Sequence, residues 1–335
     1  MPSQLPLTDP VPGLSLPRRR LPLSVLAFCA CLALGGFPAA SLAADPPAAA
    51  PASAAAAAAA QPVAPQERGV ALILSGVQYG LPVSDALIAG SVAALKEKGV
   101  ETNDIFVEHL DLVRFDNPAR HAALAGLLRE KFARRNIGLV IAQNQWALDF
   151  LAEHGGDLLP PGLPVLSTLV ATPPVAWRGA PHRVLNVINQ SDLAGTLRHG
   201  LALFSRTRRL VLVAGADNQQ PVFHVRAATE LATLGNHVEL EDTVALPYDE
   251  MLKRISTLPP DTLVLLGTYF KDLTGRNFIP AEVAAAVARR ANAPVLGLYD
   301  VHIQAGLTGG SVVLPTAVGL RAGEIGFDLL IGKRA

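Results

Sequence analysis

The residues of this chain that could do chemistry stand directly behind short apolar runs. Ser75, Gln78 and Tyr79 follow VALIL, Gln143 and Asn144 follow IGLVIA, and Ser167 and Thr168 follow PVL. Asp217 and Asn218 follow RLVLVA, Thr268, Tyr269, Phe270 and Lys271 follow LVLLG, and Tyr299 and Asp300 follow VLGL. The set is rich in amides, hydroxyls and rings. Rings supply stacking area while amides and a carboxylate fix orientation, so the chemistry that suits it is reversible binding of a small polar or aromatic solute. Asp217, Lys271 and Asp300 could also serve as acid or base, pair with a charged ligand, or cap helices, and the sequence leaves these open.

Groups that make or break bonds are scarce. The chain has no G-x-S-x-G elbow, no G-x-x-x-x-G-K phosphate loop and no G-x-G-x-x-G behind its first apolar run. Its eight histidines are scattered, with no H-x-x-x-H pair. No catalytic residue, metal or cofactor is expected, and the chain reads as a non-enzyme. The alternative is an exported enzyme using the same residues, with Asp217 or Asp300 as base. Basic and acidic side chains number 28 each, so there is no footprint for nucleic acid.

These residues need elements to hold them. From Gly69 onward, unbroken apolar runs alternate with amphipathic segments of helix length. Strands are expected at 70–74, 104–110, 137–142 and 165–169, with helices at 84–98, 117–135 and 146–154 between them. Pro118 suits a first helical position. The pattern then restarts, with strands at 184–188, 209–214, 237–241, 262–267 and 295–298. Helices are expected at 192–204, capped by Ser191 or Asp192, and at 221–234, 248–258, 280–291 and 316–331. This predicts an α/β chain of two doubly wound parallel-sheet lobes joined by a hinge, residues 67–185 and 186–335, with the last segment exchanged back to the first lobe. In such sheets ligands bind beyond the carboxyl ends of the strands, where the polar residues lie. Gly309 and Gly310 supply a sharp turn beside the hinge.

The N-terminus reads as an export signal, residues 1–44. Arg18 to Arg20 precede an apolar run from Leu21 to Phe37, and Ser41-Leu42-Ala43 supplies small residues for cleavage. An uncleaved anchor is the alternative. Both cysteines, Cys29 and Cys31, fall inside the apolar run, so the mature chain has no disulfide. Residues 45–66, almost wholly Ala and Pro, read as a linker. The expected location is the periplasm.

Three stretches resemble a known family: VEHLDLVRFDNPARHAALAGLLREKFARRNIGLVIAQNQWALDFL, LPPDTLVLLGTYFKDLTGRNFIPAEV and PVLGLYDVHIQAGLTGGSVV. They are similar to the periplasmic substrate-binding proteins of ABC transporters, of type I bilobed fold. Within them they resemble a subgroup also found as the sensor region of bacterial histidine kinases. The resemblance implies a protein that closes two lobes around a solute and serves an ABC permease, or alternatively a membrane sensor. It implies ligand contacts at Gln143, Asn144, Thr268, Tyr269, Tyr299 and Asp300, and a hinge or cleft role for Gly309 and Gly310.

Overall fold

A computed structural model describes residues 69–170, 183–187, 191–217, 220–234 and 238–333. The chain divides into two units, Met1–Gln61 and Pro62–Ala335, and every described residue belongs to the second. The export segment, the linker and Asn218 lie outside the described residues.

The first sheet is wholly parallel. It contains β1 (Val70–Ser75), β2 (Ile105–His109), β3 (Ile137–Gln143), β4 (Val165–Thr168) and β5 (Val184–Asn186), in the order β2-β1-β3-β4-β5. Helices α1 (Pro82–Glu97), α2 (Pro118–Phe132) and α3 (Asn144–Leu158) join successive strands. The central strands β1, β3 and β4 lack alternation because both faces are buried. Leu72, Leu74, Val140 and Ala142 pack in one apolar cluster with residues of α2 and α3, and Ala71, Ile73, Leu139 and Ile141 in another on the opposite face. Each leucine, isoleucine or valine among them, taken out of water, contributes roughly 1.5–3 kcal/mol.

The second sheet repeats the plan. It holds β6 (Arg209–Val213), β7 (Glu239–Asp242), β8 (Thr262–Leu266) and β9 (Val295–Leu296), in the order β7-β6-β8-β9 and again parallel. Helices α4 (Leu193–Leu203) and α5 (Gln220–Thr233) cover one face, and α6 (Tyr248–Ile255) and α7 (Pro280–Arg290) the other. After β9 come a short helix, α8 (Asp300–Gln304), and a final helix, α9 (Pro315–Leu330). Mixed parallel α/β in two lobes is the architecture the sequence patterning calls for.

Helix α9 does not stay with the second sheet. It packs along α1 and against β3, and Ala322 and Leu329 join the first sheet's core. Small residues let the two helices touch. A Cβ on Gly323 would meet the Ala94 side chain at 2.7 Å, and one on Gly319 would overlap the Leu87 carbonyl. The chain therefore crosses between the lobes before α4 and again before α9. The two crossings are tied together: Ser311 Oγ donates to Asp192 Oδ2 at 2.9 Å, and Ser311 N–H donates to Thr196 Oγ1 at 2.9 Å. Asp192 also caps α4 through Gly195 N–H at 2.7 Å. That bond first, and the Ser311 hydroxyl second, hold its carboxyl below the usual range.

Two helix starts differ from the expected ones. The first begins at Pro82, with Ser84 buried inside it rather than capping it, and α3 begins at Asn144, directly behind β3. At α2 the expected proline start holds, and Asn117 caps it by accepting from Ala119 N–H and Arg120 N–H.

Candidate ligand site between the two sheets

A cavity of about 170 Å³ lies where the carboxyl edges of the two sheets face each other. Four of the longer helices begin at its wall: α1 with Pro82 to Ser84, α3 with Asn144 to Trp146, α5 with Gln220, and α7 with Pro280 and Ala281. The amino ends of helices carry partial positive charge and unpaired N–H groups, so the wall favours an anionic group. Arg226, two turns into α5, adds a full charge. It donates to the Ser191 carbonyl at 3.3 Å and also lines the cavity.

Rings supply part of the remaining wall. Trp146 comes from the first lobe, and Phe223, Phe270 and Tyr299 from the second. Trp146 and Phe270 meet edge to face, with centroids 5.2 Å apart. Both pack on a small apolar cluster of Val77, Leu81 and Val113. Phe223 packs against Gly267, where a Cβ would come within 2.7 Å of its ring. Tyr299 stacks edge-on to His302 at 5.4 Å, and burial raises its phenol above the ordinary range while Arg226 opposes that.

His302 also lines the cavity and is almost fully buried. Burial lowers its pKa to about 4. Its Nδ1 accepts from Leu298 N–H at 3.2 Å, which leaves the proton of the neutral ring on Nε2 as a donor.

Of the residues singled out in the sequence, Asn144, Asp217, Thr268, Phe270 and Tyr299 line this cavity together. Gln143, Thr168 and Ser75 sit one layer behind it, fully buried at the ends of β3, β4 and β1. Gln78 is half-buried beyond β1, and Tyr79 is 78% exposed, its ring edge-on to His109 rather than in the cavity wall. Asp300 is the first residue of α8, and its carboxylate accepts from the neighbouring Val301 N–H at 2.7 Å. Tyr269 is a correction. It is buried in a ring cluster with Tyr248 and Phe278, facing away from the cavity, because residues 268 to 270 alternate sides as a strand does. Gly309 bridges to Leu296, and Gly310 turns the chain beside it at φ 154°.

Trp146, Phe223, Arg226 and His302 were not among the residues the sequence suggested. Each lies within the first two turns of a helix that follows a strand, and that position is the signal that could have found them. The motif residues have structural work. Asp111, at φ 55°, is held by the Arg114 guanidinium and shapes the loop behind β2. Burial works against the Asp272 carboxylate, yet hydrogen bonds from Thr274 and from the backbone of Arg276 and Tyr248 keep its pKa low. Those same bonds set the loop that presents Phe270.

Beyond Trp146 a second cavity, of about 380 Å³, has a different character. Its wall carries Asp116, Asp149, Glu153 and Asp217 against Lys271 and His121. Desolvation raises the Asp149 carboxyl above its usual range although the Gln145 amide opposes this.

No family model matches the chain, and no curated protein sequence matches it. Solved structures do. The ABC domain in complex with L-Trp from Streptococcus pneumonia aligns with a TM-score of 0.57 at 13% identity, over 79% of this chain and 85% of that one. A conserved domain protein from Vibrio cholerae gives 0.56 at 14% identity, over 79% and 86%. The ligand-free, open form of CD0873, a substrate binding protein with adhesive properties from Clostridium difficile, gives 0.53 at 17%, over 79% and 86%. The fold is that of the type I periplasmic binding proteins. At these identities the likeness is one of fold. In the periplasmic-binding fold of this chain the cavity lies at the carboxyl ends of both sheets, where doubly wound folds hold their ligands.

Proposed function

We propose that this chain is a periplasmic solute-binding protein that closes its lobes around a small planar aromatic molecule bearing an anionic group, and hands it to an ABC permease. One observation carries the reading. The cavity wall draws on both lobes and combines rings with Arg226 and helix amino ends. A ring can stack between Trp146 and the second-lobe aromatics, while a carboxylate or similar group meets Arg226. A ligand touching both lobes favours their closed arrangement by its differential affinity for it.

The S. pneumoniae fold neighbour holds L-Trp, which is consistent with an aromatic solute. The export reading is supported by Arg18 to Arg20 and the apolar run behind them.

The test is a thermal-shift screen followed by calorimetry, using amino acids, indole acids, nucleobases and sugars. Planar carboxylates should raise the melting temperature, because a ligand that binds only the folded state stabilises it. They should be recovered unchanged after incubation. Stabilisation by sugars alone would remove the aromatic reading, and conversion of any hit to product would move the assignment to an enzyme. Mass analysis of the exported protein should find an N-terminus just after Ala43 or Ala44. An intact Met1 would overturn cleavage.

A further inference from the structure

Gln143 and Thr168 are neighbours on adjacent strands, with their Cα positions paired in register, and Ser75 pairs with Gln143 on the other side. Paired positions point to the same face of a sheet. The rung two residues earlier is Ile73, Ile141 and Leu166, part of the apolar cluster on the α1 and α9 face. The polar rung therefore ends the first sheet on the face where α1 begins, and the start of α1 lines the cavity.

The Ser75 hydroxyl is used, donating to the Val77 carbonyl. The other two side chains are not. Gln143 is 1% exposed and Thr168 0%, yet neither amide atom of Gln143 nor the Thr168 hydroxyl has a hydrogen-bond partner. Leaving a polar group buried and unpaired is destabilising. The rung below shows that apolar residues fill the same face without this penalty. The residue directly after each strand also takes a left-handed backbone. Asn144 and Leu169 have φ of 66° and 53°, and both line the cavity. A leucine in the left-handed region is uncommon, and such strain clusters at ligand clamps. Two independent penalties thus coincide in one part of the wall.

We propose that the Gln143 amide and the Thr168 hydroxyl form a polar subsite in the first lobe. It takes an uncharged donor–acceptor group of the solute, such as a carboxamide or lactam edge, when Asn144 and Leu169 shift. The inference rests on the cavity being a solute site. An amide both donates and accepts and a hydroxyl can do either, so the pair matches a group that does the same. A charged group does not suit it, because the Ser75–Gln143–Thr168 rung carries no ionisable side chain and a buried charge needs a counter-charge. Arg226 stands on α5 of the second lobe, so the two lobes read different ends of the solute.

Indole-3-acetamide and indole-3-acetate are matched probes for this. Calorimetry on the whole chain should find that Gln143→Leu and Thr168→Val each weaken indole-3-acetamide at least tenfold and leave indole-3-acetate within threefold. Both variants should also melt about 2–4 °C higher when unliganded, as removal of a penalty near 1 kcal/mol implies. Thr168→Val is nearly isosteric and decides the matter if Gln143→Leu fails to fold. Wild-type affinity for indole-3-acetamide in Thr168→Val, or a lowered melting temperature there, overturns the subsite and leaves the cavity reading intact. No binding of either probe or of any planar solute by the wild type overturns the cavity reading, and the subsite with it.

Discussion

The indole of Trp146 and the phenyl ring of Phe270 meet edge to face at 5.2 Å and 80°, one ring from each lobe. The contact exists only while the lobes are together, and it also forms part of the cavity wall. Ring pairs of this kind contribute about 0.5–1.5 kcal/mol beyond their buried area. Trp146→Ala removes the pair and one stacking face at once. Binding of planar probes should weaken about tenfold or more, equal to roughly 1.4 kcal/mol, by calorimetry. Phe270→Leu keeps most of the volume and should cost less. Equal affinity in Trp146→Ala and wild type would place the aromatic solute elsewhere.

Arg226 is the cationic side chain among the described cavity residues. Arg226→Gln should weaken probes carrying a carboxylate at least tenfold and leave their methyl esters within about threefold, since hydrogen bonds to charged groups contribute about 1.5–3 kcal/mol. A uniform loss across acids and esters would mean that the side chain acts only by holding the Ser191 carbonyl.

The central strands were legible in the sequence because they are buried on both faces and read as unbroken apolar runs such as VALIL and RLVLV. The site was legible only in outline. Tyr269 and Phe270 are adjacent, and a one-residue change of parity sends one ring into the core and the other to the cavity. Composition does not reveal that parity. Trp146, Phe223 and Arg226 were hidden for a related reason. They stand in the first two turns of helices that follow strands, and side chains there lean back toward the strand ends. Asp300 looked like a ligand group, but its carboxylate turns back to the neighbouring Val301 N–H at the start of α8.

His302 should make stability depend on pH in a defined window. Its folded pKa is lowered to about 4 by burial, below an ordinary value of 6.5. Between these values the unfolded chain binds the proton and the folded chain does not, so stability rises with pH across the window. The contribution is fully present above about pH 6.5 and is lost as pH falls to about 4. It amounts to about 3 kcal/mol at most. His302→Asn keeps an acceptor for Leu298 N–H but does not titrate. Its melting temperature should fall less than that of wild type between pH 7 and pH 4. Parallel curves for the two proteins would assign the acid sensitivity to other groups.

Gly309 and Gly310 are adjacent but should tolerate a side chain very differently. Gly310 has φ 154°, and a Cβ there would overlap the Gly297 carbonyl, which runs alongside in the sheet edge. A Cβ on Gly309 would meet nothing within 4 Å. Gly309 O accepts from Gly297 N–H at 2.9 Å, a bond that does not involve the side chain. Gly310→Ala must therefore push the returning segment off β9, just ahead of the crossing that delivers α9 to the first lobe. It should destabilise the protein by about 2–4 kcal/mol, whereas Gly309→Ala should stay within about 0.5 kcal/mol of wild type. Urea midpoints at constant m-value measure both. Equal midpoints for the two variants would show that the segment has room to move, and that the close approach to Gly297 does not fix the path into α9.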